Sequence, residues 1–124
     1  AEEIVNFKIL TEDDVNRAGK FIIDEVGCKS VVIKGGHLTG EAKDYLFLND
    51  GTKKVWTSER FKTNHTHGTG CTFSAVITAE LAKGKSIIEA VDIGKKFITA
   101  AIKYTPELGH GNGPVNHIAF KGDL

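Results

Sequence analysis

Apolar residues recur at helical spacing in three stretches of the chain and cluster into short runs between them. Val15, Ala18, Ile22 and Val26 fall three or four residues apart and predict one buried helical face. Thr11, followed by Glu12, Asp13 and Asp14, reads as an N-cap with acidic residues in the first turn. Gly27 reads as the glycine just past the helix end. Ser30-Val31-Val32-Ile33 is short and β-branched, which predicts a buried strand running into Lys34-Gly35-Gly36-His37. Asp44 to Leu48 and Lys53 to Thr57 flank Asn49-Asp50-Gly51, a strong hairpin signal. A further extended piece is expected over Arg60 to Thr63.

Past the polar stretch Asn64 to Gly70, the spacing predicts a helix over Cys71 to Lys83. Phe73, Val76, Ile77 and Leu81 form its apolar face, and Gly84 closes it. Ser86 with Glu89 three residues on is a capping box. It opens a helix lined by Ile87, Val91, Ile98 and Ile102 that ends before Pro106. The tail Gly109-His110-Gly111-Asn112-Gly113-Pro114 reads as a glycine-rich loop. This order implies a layered α/β fold of four strands and three helices. A parallel sheet needs both faces covered, so the chain does not look self-sufficient.

Length and charge narrow the function classes. The chain has 124 residues, enough for one domain. Lysine plus arginine and aspartate plus glutamate are 16 each, so the formal net charge is zero. That argues against a general nucleic-acid or anionic-membrane binder, which carries a basic excess. An anionic ligand would have to be held by local geometry. No apolar run approaches the roughly 20 residues that span a bilayer. The two cysteines, Cys28 and Cys71, make no disulfide framework and read as reduced thiols of a cytoplasmic protein. Glycine is unusually frequent at 14 residues, and methionine is absent.

The candidate chemistry sits in His65-Thr66-His67-Gly68-Thr69-Gly70-Cys71, directly before a helix. Unbonded N–H groups and the positive end of the helix dipole converge at such a start. Gly68 and Gly70 let the backbone turn sharply and approach a ligand closely. Together these features make an anion site, most naturally for phosphate. The competing reading is a tight turn and nothing more. Cys71 falls in the first helical turn, where a thiolate is favoured and can act as base or nucleophile. Its alternative is a small buried hydrophobe, the description that fits Cys28.

Lys34 stands at the C-terminal end of a strand, where ligands of open α/β sheets bind. It could meet a nucleotide phosphate or simply be solvated. His65, His67 and Cys71 offer three zinc ligands, but a structural site needs a fourth and tighter, paired spacing. His37, His110 and His117 read as loop or surface residues.

Three motifs then occur in order: Lys34-Gly35-Gly36-His37, Thr66-His67-Gly68-Thr69-Gly70-Cys71-Thr72, and Gly109-His110-Gly111-Asn112-Gly113-Pro114-Val115-Asn116-His117. Across essentially its whole length the chain resembles the C-terminal half of the hydroxymethylpyrimidine/phosphomethylpyrimidine kinases of the ribokinase-like superfamily. Bacterial pyridoxal kinases form a branch close by. The resemblance implies a three-layer α/β/α sandwich, of which this chain would supply the nucleotide and anion-hole portion. It further implies transfer of phosphate from ATP, with magnesium, to the hydroxymethyl group of a thiamine-precursor pyrimidine and then to its monophosphate, or to pyridoxal. The superfamily loop ends in a catalytic aspartate. Cys71 at that position marks the pyrimidine and bacterial pyridoxal branch. By resemblance, Gly68, Thr69, Gly70 and Cys71 form the anion hole, Cys71 is the general base, and Lys34 and Thr66 face phosphates. No metal ligand is assigned within the chain.

The resemblance also implies an N-terminal half that reads the pyrimidine and carries an Asn-x-x-Glu motif organising magnesium. Glu2 and Glu3 do not replace that motif. The expectation is therefore a truncated kinase, inactive alone, that pairs with its missing half and forms a homodimer when full-length. A non-catalytic nucleotide-binding module is the competing class.

Overall fold

Two helices of the chain begin where a hydroxyl and a carboxylate close the first turn. Thr11 Oγ1 accepts the Asp14 N–H while the Asp14 carboxylate accepts the Thr11 N–H, and α2 (Glu12–Glu25) follows. Ser86 and Glu89 repeat the exchange ahead of α4 (Ile87–Lys103), as the sequence predicts. The computed structural model describes residues 1–35, 42–58, 61, 63–106 and 110–120. The chain divides into two units, Ala1–Arg60 and Phe61–Leu124.

The first unit contains α1 (Glu2–Val5), α2 and the strands β1 (Ser30–Lys34), β2 (Ala42–Leu48) and β3 (Lys53–Ser58). The single turn of α1 has no counterpart in the sequence pattern. Its Glu2 carboxylate accepts the Ile9 N–H at 2.7 Å, which tucks the following segment back on the turn. The sheet order is β1-β2-β3, and both pairings are antiparallel, with Ile33 opposite Tyr45 and Tyr45 opposite Val55. The β2–β3 pairing is the predicted hairpin, whereas the antiparallel pairing of β1 with β2 replaces the parallel sheet that the α/β order suggested. A parallel pair needs a crossover of about a dozen residues or more, and residues 35–41 are too few. The 49–51 hairpin forms as predicted, with Gly51 at φ 87° and its N–H on the Leu48 carbonyl.

Val15, Ala18 and Ile22 of α2 pack with Val5, Ile33 and Tyr45, and Phe7, Ile9, Cys28, Val31 and Phe47 border that core. Val26, expected on the same face, is 55% exposed. It is the C-cap, and Gly27 at φ 77° then leads the chain off the helix axis. Gly19 is required by close approach, since a side-chain carbon there would lie 2.5 Å from the Phe47 ring.

The second unit contains α3 (Thr69–Ala82) and α4. The helix α3 starts two residues before Cys71, because Gly68 already occupies the N-cap. It ends in a Schellman arrangement, with the Lys85 N–H on Glu80 O and the Gly84 N–H on Leu81 O. Phe73 is buried as expected, whereas Leu81 is exposed in the last turn. Phe73 and Ile77 lie against Gly94 of α4, where an added side-chain carbon would sit 3.0–3.1 Å from them. Val91 and Ile98 complete the α4 stripe, with Ile87 and Ile102 half-buried. Phe61 and Thr63 are not in a strand, so the expected fourth strand is absent among the described residues; Arg60 and Lys62 lie outside them. The tail anchors on α4 through the Asn116 N–H to Ala101 O and Asn116 Nδ2 to Tyr104 O. No helix among the described residues is long and apolar enough to cross a membrane.

Two stability outcomes follow. Gly94→Leu is expected to cost about 1–3 kcal/mol by overpacking, read as a lowered urea midpoint. Ser86→Ala is expected to cost about 1 kcal/mol. The Ser86 hydroxyl and N–H hold the Glu89 carboxyl below the usual carboxylate range. Its contribution is therefore complete above the ordinary glutamate value and is lost as pH falls through the lowered one. Urea midpoints measured from neutral to acid pH should show the mutant deficit shrinking in acid.

Candidate functional site

The start of α3 departs from the pattern of α2 and α4. Its N-cap is Gly68, at φ 84° in the left-handed region that glycine tolerates, and no side chain caps the helix. Its first turn carries no acidic residue, whereas α2 has Glu12, Asp13 and Asp14 there and α4 has Glu89. The positive end of α3 is thus left without a protein counter-charge in its own first turn. The Thr69 N–H is engaged by Thr66 O at 3.2 Å, and Thr69 Oγ1 donates to the same oxygen at 2.7 Å. The N–H groups of Gly68, Gly70 and Cys71 make no hydrogen bond to any of the described residues. Thr69 therefore brings no free backbone donor to the cradle.

Cys71 is exposed in that first turn, which removes the buried-hydrophobe alternative for it. Cys28 is half-buried against the core of the first unit, as its sequence context suggested. Thr66 is exposed and supplies its carbonyl to the turn. Thr66, Gly68, Thr69, Gly70 and Cys71 thus share one loop and helix start within the second unit.

The tail fixes this loop in place. His67 and Pro114 form a parallel bridge, with the His67 N–H on Gly113 O and the Val115 N–H on His67 O. The Gly113 N–H donates to His65 Nδ1 at 3.1 Å, and Thr72 Oγ1 lies 2.9 Å from His117 Nε2. Thr72 and Val115 are buried, at 8% and 2% exposure. His117 is exposed as expected of a surface residue, yet its ring meets the buried Thr72 hydroxyl, a pairing the sequence reading missed. The available signal was a threonine on the buried side of α3, where an unpartnered hydroxyl is costly.

Lys34 belongs to the first unit. It is exposed at the end of β1, across from Asp44, and borders a cleft of about 410 Å³ that Glu2, Glu3, Ile9 and Val15 also line. Gly35 follows, its N–H shared between Lys43 O and Asp44 Oδ1. Gly36, His37 and Gly109 lie outside the described residues. His65, His67 and Cys71 do not converge: no three His, Cys, Asp or Glu side chains among the described residues group as metal ligands. Magnesium takes oxygen ligands, commonly carboxylates, and these residues do not by themselves form such a set.

The phosphomethylpyrimidine kinase family description matches residues 1–116. A hydroxymethylpyrimidine/phosphomethylpyrimidine kinase of Staphylococcus aureus (strain MSSA476) is 59% identical over 122 residues, covering 97% of this chain and 44% of the relative. Among solved structures, an ADP complex of Bacillus subtilis pyridoxal kinase superposes with a TM-score of 0.86 at 43% identity, covering 95% of this chain and 46% of the other. A Staphylococcus aureus pyridoxal kinase in complex with AMP-PCP and pyridoxal gives a TM-score of 0.84 at 36% identity, covering 92% and 42%. The ribokinase-like α/β fold expected from the motifs is the fold of these neighbours. The chain spans less than half the length of each of these relatives.

The exposure difference between the thiols has a direct readout. Brief alkylation of the native chain with iodoacetamide, followed by peptide mass spectrometry, should label Cys71 well ahead of Cys28. In denaturant the two rates should converge.

Proposed function

The chain belongs to the phosphomethylpyrimidine kinase family, and on that premise we propose that it carries the phosphoryl-transfer loop of an ATP-dependent kinase. The acceptor is the hydroxymethyl group of 4-amino-5-hydroxymethyl-2-methylpyrimidine, and then the phosphate of its monophosphate, a step of thiamine biosynthesis. The observation that carries this reading is the uncapped start of α3, where the Gly68, Gly70 and Cys71 N–H groups have no hydrogen-bond partner among the described residues and the Cys71 thiol is exposed.

Phosphoryl transfer is largely positioning and charge stabilisation. The Cys71 sulfur takes the proton of the substrate hydroxyl as its oxygen attacks the terminal phosphorus of ATP. The bond from that phosphorus to the bridging oxygen breaks, and ADP leaves with the electron pair. The N–H groups of Gly68, Gly70 and Cys71 receive the charge on the transferring group. Donors fixed in a folded turn need no reorganisation at that moment. Thr69 holds the turn through Thr66 O. Lys34 and the Thr66 side chain are assigned to the nucleotide phosphates. No three His, Cys, Asp or Glu side chains group together among the described residues, and no step here is routed through magnesium. The additional length of the relatives is assigned the reading of the pyrimidine ring. Two free thiols suit a reducing, cytoplasmic setting.

Phosphorylation of pyridoxal is the second reading, favoured by the likeness to the pyridoxal kinases. The test uses the complete gene product with ATP and each acceptor in turn. Cys71→Ala is expected to lower kcat by about 100-fold or more, the scale of a lost general base. An unchanged kcat would remove Cys71 from the mechanism, and the ratio of kcat/KM for the two acceptors decides between them.

A further inference from the structure

The segment that bears the proposed chemistry is pinned on both sides to one short stretch of tail. Before it, His65 Nδ1 accepts the Gly113 N–H at 3.1 Å. After it, the Thr72 hydroxyl meets His117 Nε2 at 2.9 Å, with Thr72 directly following Cys71. The tail between those points is itself fixed: Val115 is buried, and the Asn116 N–H bonds Ala101 O of α4. Backbone bonds through His67 run between the two pins. They can form in many sequences, whereas the outer contacts require these side chains.

We infer that His65 and the Thr72–His117 pair are positioning residues, holding the Gly68–Cys71 turn at the distance phosphoryl transfer requires. This inference rests on the kinase reading above. His65 Nδ1 and Thr72 Oγ1 are directed at the tail. His65 spends Nδ1 on Gly113, which places its ring proton on Nε2. The His117 ring nitrogen is engaged with the hydroxyl of a threonine that is itself buried. Releasing one pin leaves that side of the glycine-flanked turn held by backbone bonds alone. A displacement of about 1 Å in such a segment can cost on the order of 100-fold in rate.

The test uses the complete gene product and two readouts. The first is steady-state kinetics, in which His65→Ala and Thr72→Val should lower kcat at least tenfold with little change in the acceptor KM. Activity should return with His65→Asn, whose Oδ1 can accept the Gly113 N–H, and with Thr72→Ser, which keeps the hydroxyl. The second needs neither nucleotide nor acceptor: the rate of Cys71 alkylation in the folded protein. It should change in the two disruptive variants and return to the wild-type rate in the two conservative ones. Wild-type kcat and wild-type Cys71 reactivity in His65→Ala and Thr72→Val would overturn the inference. Equal losses in disruptive and conservative variants would also overturn it. A wild-type protein that phosphorylates neither acceptor would instead defeat the kinase reading, with the alkylation result still reporting on the pins.

Discussion

A helix cannot satisfy the N–H groups of its own first turn, and the character of this chain follows from how each of its long helices meets that constraint. The starts of α2 and α4 are closed by reciprocal hydroxyl–carboxylate boxes. The start of α3 is left open by a left-handed glycine. A side-chain cap satisfies one of those donors, and a glycine in its place gives up roughly a few tenths of a kcal/mol. The α3 donors are instead presented to whatever anion arrives. In a chain with zero net charge, capture of a phosphate has to be local, and the proposed function assigns it to this turn.

Leaving donors open requires that the turn be held by something other than a cap. The tail supplies that support through the His67–Pro114 bridge and the two side-chain contacts that flank it. The burial of Val115 and the bonds from Asn116 tie the tail to α4. The α3–α4 contact depends in turn on Gly94 leaving room for Phe73 and Ile77. Helix packing, tail and turn thus form a single chain of dependence within the second unit, from a glycine in α4 to the sulfur of Cys71.

Much of this was legible in the residues. Thr11 as an N-cap and Ser86 with Glu89 as a capping box are local signals, readable over four residues because the bonds they make are equally local. The apolar stripes of α2 and α4 were legible for the same reason, and Val26 fell outside its stripe only because the helix ended before it. The direction of β2 against β3 was legible in the hairpin, but that of β1 against β2 was not, since it is set by the short connection between them and not by apolar period. The candidate loop was legible in its centre and illegible at its margins. Gly68 to Cys71 announce themselves by glycine and cysteine before a helix. Thr72 and His117 sit 45 residues apart, and their partnership exists only once α3, α4 and the tail are in place.

The central claim is that the open first turn of α3 receives phosphate, and amide chemical shifts read it directly. Two-dimensional NMR of the complete gene product titrated with ADP should move the Gly68, Gly70 and Cys71 amides strongly. The capped amides of Asp14 and Glu89 should stay in place. Saturable binding that leaves those three amides unmoved while others shift would contradict the claim.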